Sequence, residues 1–429
     1  MMRRRAWAWA WSLAGLLGCG DASLDGTASA TASTSSGASE SSGGESSTGT
    51  PPVEICDPGC RPRLDPTWSF QGEPGTQGVA ALLLGADGAP LTAVQRSNGT
   101  LELVSLGADG ALDRIFAPQL PCDQCVLGDM ALHPSGDLIL SVTDLDSPWN
   151  SSAVLARFSA EEGALRWARN TFFSDQGTGR GRAGGLAVLD DDRLVQLMLS
   201  EQGDSELMWL HESDGEGQFR LSRTVFNQIP TQQWWPMLAA ASPGGELIIS
   251  HTGLDLDFEV PVTIGRTRRL LPPNYDFLSE RRLPFWLDDL KLDSRGNRLE
   301  MARSEDVETI TLLLTSRSAS DVERWDLSLP LVSTSSTRAM LAVGPDDDVY
   351  IAARTSPRGA SQDFFVVELS VTRISSDGEI RWQASLPLDI RASVDPLRVA
   401  IDDEDGIVVA TVVQGRLSVA RFEQGCACE

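Results

Sequence analysis

Six cysteines in three close pairs are the residues of this chain whose spacing most suggests chemistry: Cys56 and Cys60, Cys122 and Cys125, Cys426 and Cys428. Cys122-Asp-Gln-Cys125 has the gap of half a zinc site and of a thiol redox motif. A redox role needs that motif at the start of a helix, whereas here Pro121 precedes it in a connecting segment. No histidine follows Cys125, so covalent haem attachment has no support. In an exported chain an even count points to disulfides, although six cysteines allow about fifteen pairings.

Other candidate chemistry is sparse. Histidine, the usual acid-base group near neutral pH, occurs only as His133, His211 and His251, spread over different parts of the sequence at turns and strand ends. They are expected to be structural and not to converge on a metal. Gly179-Arg-Gly181-Arg-Ala-Gly184 satisfies the dinucleotide pattern, but it precedes the strand-like Leu186 to Leu189 and not a helix, and reads as a flexible loop. The acidic turns Asp190 to Asp192, Asp346 to Asp348 and Asp402 to Asp405 lack the full spacing of a calcium loop and read as solvated turns. Among 60 acidic residues no carboxylate pair is marked out for glycoside hydrolysis. No catalytic residue, cofactor or metal is expected.

The amino terminus places the chain. Arg3, Arg4 and Arg5 precede an apolar run from Ala6 to Leu17, too short for a mature membrane span and suited to an export signal. Its end, Leu16-Leu17-Gly18-Cys19, resembles the lipobox of bacterial lipoproteins. That resemblance implies cleavage before Cys19, acylation of Cys19 as the membrane anchor, and a place in the cell envelope. With Gly20 next and Asp21 one place later, it implies the outer membrane. Residues 20–55 are mostly Ser, Thr, Gly and Ala, a disordered tether that would hold a domain on the order of 30 Å from the lipid. Residues 56–429 form the folded domain. Loss of Arg3 to Arg5 leaves 32 basic residues against 60 acidic, a formal charge of −28. Nucleic acid and anionic lipid are thereby poor partners for the domain. Lys291 is the single lysine beside 34 arginines, and reads as genome composition.

The elements that must position these residues recur. An apolar strand, a tight turn and a second apolar strand repeat seven times, with turns at Asp87-Gly88, Ser135-Gly136, Asp191-Asp192, Gly244-Gly245, Arg295-Gly296, Asp347-Asp348 and Asp405-Gly406. A period near fifty residues predicts an all-β fold, a seven-bladed β-propeller of four-stranded antiparallel blades. The second unit shows its strands at Gly128 to Leu132, Asp137 to Val142, Ala153 to Phe158 and Ala164 to Asn170. First strands such as VAALLLG are apolar throughout, as strands covered on both faces should be, while TLELVSL alternates. A recurring phrase joins third and fourth strands, at Asp109-Gly110, Glu162-Gly163, Asp214-Gly215 and Asp377-Gly378; Trp167 and Trp382 soon follow two of these, with Trp325 in the matching place. GALRW and GEIRW resemble the PQQ-like (quinoprotein-type) propeller repeat, which implies that the tryptophan docks one blade on the next. The cofactor does not carry over, since no residue set matches a quinone site.

The last unit stops after three strands, near 397–402, 407–413 and 416–422. Leu64 to Phe70, with Trp68 where other fourth strands carry tryptophan, is expected to complete it and close the ring. Cys56 and Cys60 then lie beside Cys426 and Cys428, where two cross-links would clamp the ring. Three local bridges are the competing arrangement, which forces Cys426 and Cys428 into a strained short ring.

Loops between blades and between second and third strands share one face of a propeller. On this chain they are expected to carry Trp149, Arg180, Arg182, Trp234, Trp235, Phe277, Arg281, Arg282, Phe285 and Trp286, the aromatic and arginine mixture that recognition surfaces use. The acidic turns should lie on the opposite face. The expected protein is a monomeric, non-catalytic envelope lipoprotein that binds a protein or glycan partner through that loop face. Alternatives are a polysaccharide hydrolase or lyase with carboxylates, joined by His251, at the funnel mouth, and a scaffold for outer-membrane protein assembly.

Overall fold

The computed structural model describes residues 61–85, 87–145, 152–171, 181–189, 192–202, 205–229, 237–255, 262–283, 285–305, 310–331, 339–355, 367–388 and 397–427. The expected signal, Cys19 and the expected tether lie outside the described residues, as do Cys56, Cys60 and Cys428. Among those described, twenty-eight strands form seven four-stranded antiparallel sheets. The first strand, β1 (Arg61–Pro74), belongs to the last sheet. Blade I runs β2 (Thr76–Leu84), β3 (Pro90–Arg96), β4 (Leu101–Leu106), β5 (Leu112–Phe116). Blade II runs β6 (Cys125–Leu132), β7 (Leu138–Asp144), β8 (Ser152–Phe158), β9 (Leu165–Asn170). Blade III runs β10 (Gly181–Val188), β11 (Leu194–Gln202), β12 (Ser205–Ser213), β13 (Phe219–Ile229). Blade IV runs β14 (Met237–Ala241), β15 (Leu247–Asp255), β16 (Val262–Leu271), β17 (Asp276–Leu283). Blade V runs β18 (Trp286–Leu292), β19 (Arg298–Glu305), β20 (Ile310–Arg317), β21 (Glu323–Leu331). Blade VI runs β22 (Ala339–Val343), β23 (Val349–Thr355), β24 (Val367–Ile374), β25 (Ile380–Leu388). Blade VII has β26 (Arg398–Ile401), β27 (Ile407–Val413), β28 (Arg416–Ala427) and, outermost, β1.

The first strand of each blade touches the first strands of both neighbours. β2 reaches β6 on one side and β26 on the other, so the sheets close into a ring, a seven-bladed β-propeller. Closure follows the expected route: β1 pairs antiparallel with β28, with Trp68 opposite Arg421 and Pro62 opposite Cys426. The strand is longer than Leu64 to Phe70, and its register runs out to Arg61 opposite Ala427. Chain direction fixes two faces. The upper face holds the starts of the innermost strands, the connections between blades and the second-to-third-strand loops. The lower face holds the first-to-second and third-to-fourth turns, and both Arg61 and Ala427.

The core sits between blades. Val79, Val94 and Leu106 of blade I pack with Val408, Val412 and Val419 of blade VII, and the same layering joins blades III and IV or V and VI. Between blades IV and V the apolar layer thins to Leu283, Leu287 and Ala302 with partly buried neighbours. Charge occupies that seam: Arg281 reaches Glu300 at 2.6 Å, Arg298 reaches Glu300 at 2.9 Å and Asp321 at 2.6 Å.

Each of the seven first-to-second turns has one residue at positive φ. It is Gly88, Gly136, Gly245 or Gly296 in four of them, and Asp192, Asp347 or Asp405 in the others. Aspartate is among the residues that tolerate the left-handed region, so the turn survives without glycine. Four of the third-to-fourth turns use glycine for close approach. A Cβ on Gly110 would lie 2.4 Å from the ring of Trp68, on Gly163 2.8 Å from Phe116, on Gly217 2.8 Å from Trp167 and on Gly378 2.6 Å from Trp325. Each aromatic comes from the outer strand of the preceding blade. Trp167 Nε1 donates to Gly215 O at 3.2 Å and Trp325 Nε1 to Ser376 O at 2.9 Å, locking one blade onto the next.

One expectation is corrected here. Gly181 to Gly184 is not a loop but the start of β10. Its glycines let inner strands meet, since a Cβ on Gly184 would strike Met237 and one on Gly185 would come 2.7 Å from Ala239 N. Gly128 permits the same approach in the preceding blade, where a Cβ would sit 2.5 Å from Ala183 O. Gly128→Ala is expected to destabilise the fold by about 1 to 3 kcal/mol through overpacking. Denaturant midpoints of the two proteins check this, and equal midpoints would contradict it.

Candidate functional site

The seven innermost strands enclose a central cavity of about 370 Å³. Its wall is chiefly small and apolar, as expected of strands covered on both faces, yet six charged side chains also line it: Asp129, Arg182, Asp288, Asp289, Lys291 and Arg398. Arg182 and Arg398 stand at the upper ends of β10 and β26, whereas Lys291 is near the lower end of β18.

Backbone irregularities aim the aspartates. The pairing of β6 with β7 shifts register between Leu127 and Asp129, and that of β18 with β19 between Leu287 and Asp289. At each bulge the aspartate turns back on the chain. Asp129 accepts from the N–H groups of Met130 and, in the next blade, Leu186, both at 2.8 Å. Asp289 accepts in the same way from Leu290 and, in the next blade, Leu341, both at 2.8 Å. These two acids are inter-blade staples. Asp288 faces Arg303 at 3.6 Å. Burial raises the pKa of Asp129; the two N–H donors, then Lys291 and Arg398, pull it down. Arg398 is braced by Nε donating to Ala80 O at 2.8 Å and Nη1 to Leu397 O at 3.0 Å.

The histidines lie away from this wall. His133 is buried in its turn, with Nδ1 2.9 Å from Ser135 Oγ, and burial followed by Arg157 lowers its pKa. His211 is buried beside Phe219, and burial lowers it to about 4. His251 is placed in β15, edge-on to Phe226 of blade III with ring centroids 4.0 Å apart, and not at the funnel mouth. Its Nδ1 lies 3.0 Å from Thr252 O, and burial again lowers the pKa to about 4.

The acidic turns are on the lower face; Asp192, Asp346, Asp403 and Glu404 are exposed as expected, Asp190 and Asp191 lie outside the described residues, and Asp347, Asp348, Asp402 and Asp405 are instead buried. Arg373 binds Asp348 at 2.7 Å and, from the next blade, Asp405 at 2.9 Å. Arg421 binds Asp402 at 2.6 Å. Asp347 accepts from Ser294 N at 2.8 Å and Ser294 Oγ at 2.9 Å. Cys122 and Cys125 form a disulfide.

Of the loop-face residues, Trp149, Arg180, Trp234 and Trp235 lie outside the described residues. Phe285 is at the upper connection into blade V, whereas Trp286 is the first residue of β18 and Arg182 lies within β10, so both are strand residues at the upper ends of inner strands and not loop residues. Phe277, Arg281 and Arg282 are corrected: they belong to the outer strand β17 and not to a loop. Arg281 is committed to buried Glu300, and Arg282 is exposed with Nε 3.3 Å from Glu280. The sequence reading missed Asp129, Asp288, Asp289, Lys291 and Arg398. Charged residues within strands that are otherwise apolar were the available signal.

No family model matches the chain, and neither does any curated protein. Solved structures do resemble it. A polysaccharide lyase of family PL25, an ulvan lyase bound to a glucuronate-rhamnose sulfate disaccharide unit, matches with TM-score 0.51 and 10% identity over 85% of this chain and 97% of that one. Extracellular domains 1–2 of Drosophila Semaphorin 1a give 0.46 and 9% over 83% and 88%. The WD40 domain of SCAP from fission yeast gives 0.41 and 11% over 84% and 98%. Likeness at these identities is likeness of fold.

Proposed function

We propose that the protein is a bacterial envelope lipoprotein, lipid-anchored through Cys19 most plainly in the outer membrane, whose propeller binds a protein or glycan partner on its upper face without transforming it. One observation carries this reading. Arg61 and Ala427 lie together on the lower face, so the upper face, with the connections between blades and the Arg182 and Arg398 end of the cavity, is clear of both described chain ends. The tryptophan-over-glycine contacts at Gly217 and Gly378 support the PQQ-like reading of the repeat. Engagement of Asp129 and Asp289 with backbone N–H groups, and the position of His251 away from the cavity, favour binding over catalysis.

Two variants of the full chain test it. Cys19→Ser is expected to move the protein from the membrane fraction to the soluble exported fraction, and unchanged fractionation would remove the lipoprotein reading. Combined replacement of Trp234, Trp235 and Trp286 by alanine should reduce partner capture in cross-linked envelopes at least about tenfold, as loss of aromatic anchors does. Full capture by that variant would show that the partner uses another surface. Turnover of a glycan panel by the unmodified protein would replace binding by catalysis.

A further inference from the structure

The seam between blades IV and V leaves a cleft on the flank of the ring, apart from both the loop face and the central cavity. We propose that this cleft is a docking site for a basic side chain, arginine or lysine, of a partner polypeptide, with Asp326 as its counter-charge. This goes beyond the partner-binding reading and depends neither on the tether nor on the loop tryptophans.

One inter-blade lock is missing at this seam. Trp68, Trp167 and Trp325 of three outer strands each lie over a glycine of the following blade. In β9 the tryptophan stands opposite Arg157, and the matching place in β17, opposite Arg269, holds Ser279. The turn it meets in blade V has Asp321 at positive φ in place of glycine, and Ser279 Oγ donates to Asp321 Oδ2 at 3.2 Å. Above that polar contact a cavity of about 270 Å³ lies between β17 and strands β19 to β21. Small-molecule sites usually occupy about 300 to 1,000 Å³, so this one suits a single long side chain.

The lining has two characters. Leu283, Phe285, Ala302 and Leu313 form an apolar wall, part of the thin layer between these blades. Facing it is β21, whose Trp325, Leu327 and Leu329 pack with blade VI, so that the alternate residues Asp326 and Ser328 turn toward blade IV. Charge then selects the occupant. Glu300, fully buried in the lining, is answered by Arg281 at 2.6 Å and Arg298 at 2.9 Å. Arg298 and Arg317 also hold Asp321, at 2.6 and 3.0 Å, and Arg317 reaches Glu323 at 3.1 Å. Arg324 is drawn away to Asp293 at 3.6 Å and Asp377 at 3.9 Å. Arg281, Arg298 and Arg317 thus serve Glu300, Asp321 and Glu323, and Asp326 is left over. It is exposed and has no hydrogen bond or ion pair among the described residues. An unpaired carboxylate across from an apolar wall complements a side chain with a methylene stem and a cationic head. The formal net charge of −25 favours the approach of a basic partner.

Blocked peptides with one variable residue read the site. Acetyl-Gly-Gly-Arg-Gly-Gly-amide is titrated into the full chain, and its binding is followed by saturation-transfer NMR of the arginine methylenes. It should bind saturably with a Kd of about 1 mM, as one seated side chain allows. The lysine peptide should behave alike, and the norleucine peptide should bind at least about fivefold more weakly for want of the charged contact. Asp326→Asn should weaken the arginine peptide at least about fivefold for the same reason. Asp403→Asn removes the same charge from an exposed place on a lower-face turn and should leave binding unchanged. Ser328→Phe, at an exposed position of β21, puts bulk into the cleft and should abolish binding without lowering the melting temperature. The proposal is overturned if the arginine peptide does not bind, if norleucine binds as well, or if the two Asn variants weaken binding equally. Full binding by a folded Ser328→Phe variant would also overturn it. Any of these results with loop-face partner capture intact removes the cleft and leaves the loop-face reading standing. Peptide binding at Asp326 by a protein that captures no partner does the reverse.

Discussion

Replacing Cys426 and Cys428 by serine is expected to lower the unfolding free energy by roughly 5 kcal/mol, the value the chain-entropy model gives for a bridge that closes nearly an entire domain. The reason is the register of the last blade. Arg61 lies opposite Ala427 and Pro62 opposite Cys426, so the cysteine-bearing segments before β1 and after β28 run on from paired ends. Digestion without reductant should therefore yield peptides joining 56–60 to 426–428. Cys122→Ser with Cys125→Ser makes the control, because that disulfide spans a sequence separation of 3 and restrains little chain. Equal denaturant midpoints for the two double variants would contradict the clamp. Peptides linked only within each pair would show the alternative of three local bridges.

Stability should also fall as pH is lowered from about 6.5 toward 4, ahead of general carboxylate protonation, by roughly 3 kcal/mol for each of two histidines. His211 and His251 are both held near 4 in the fold by burial, below the ordinary histidine value of 6.5. The sign follows from which state takes up protons. At pH 7 both states are neutral at these rings and nothing is lost. Between 6.5 and 4 the unfolded chain is protonated while the folded chain is not, so unfolding gains a proton per histidine. Urea unfolding across this window should show a slope approaching two protons, and His211→Gln with His251→Gln should abolish it. A flat wild-type profile, or an unchanged slope in the double variant, would show that the rings titrate normally.

Much of the architecture was legible because its signals are local. The seven positive-φ turn residues, Gly88 to Asp405, fall within the seven turns read from spacing, and Trp68 marked β1 as a fourth strand without a blade. Blade IV was misread at its outer edge, where the turn before β17 uses Tyr275 at positive φ in place of an aspartate-glycine phrase. Arg281 and Arg282 then looked like loop residues. The buried acids of these turns looked solvated because their partners are remote in sequence: Arg373 reaches Asp405, 32 residues away and in another blade. Lys291 looked like a compositional accident for a similar reason. Only the meeting of seven inner strands shows that it shares a wall with Asp129 and Arg398.

The sheet formed by β1 with β28 has a consequence for how the protein is made. Ribosomal synthesis delivers β1 first and β28 last, so the earliest strand must wait without its partner until the final residues emerge. During that interval Trp68, Phe70 and a row of backbone hydrogen-bonding groups stand as an open template for other chains. A nascent chain arrested before residue 416 would carry six complete sheets, the β26–β27 pair and one orphan strand, which makes chaperone attendance, or prompt passage of the whole polypeptide, a requirement that the sequence of events on the ribosome imposes.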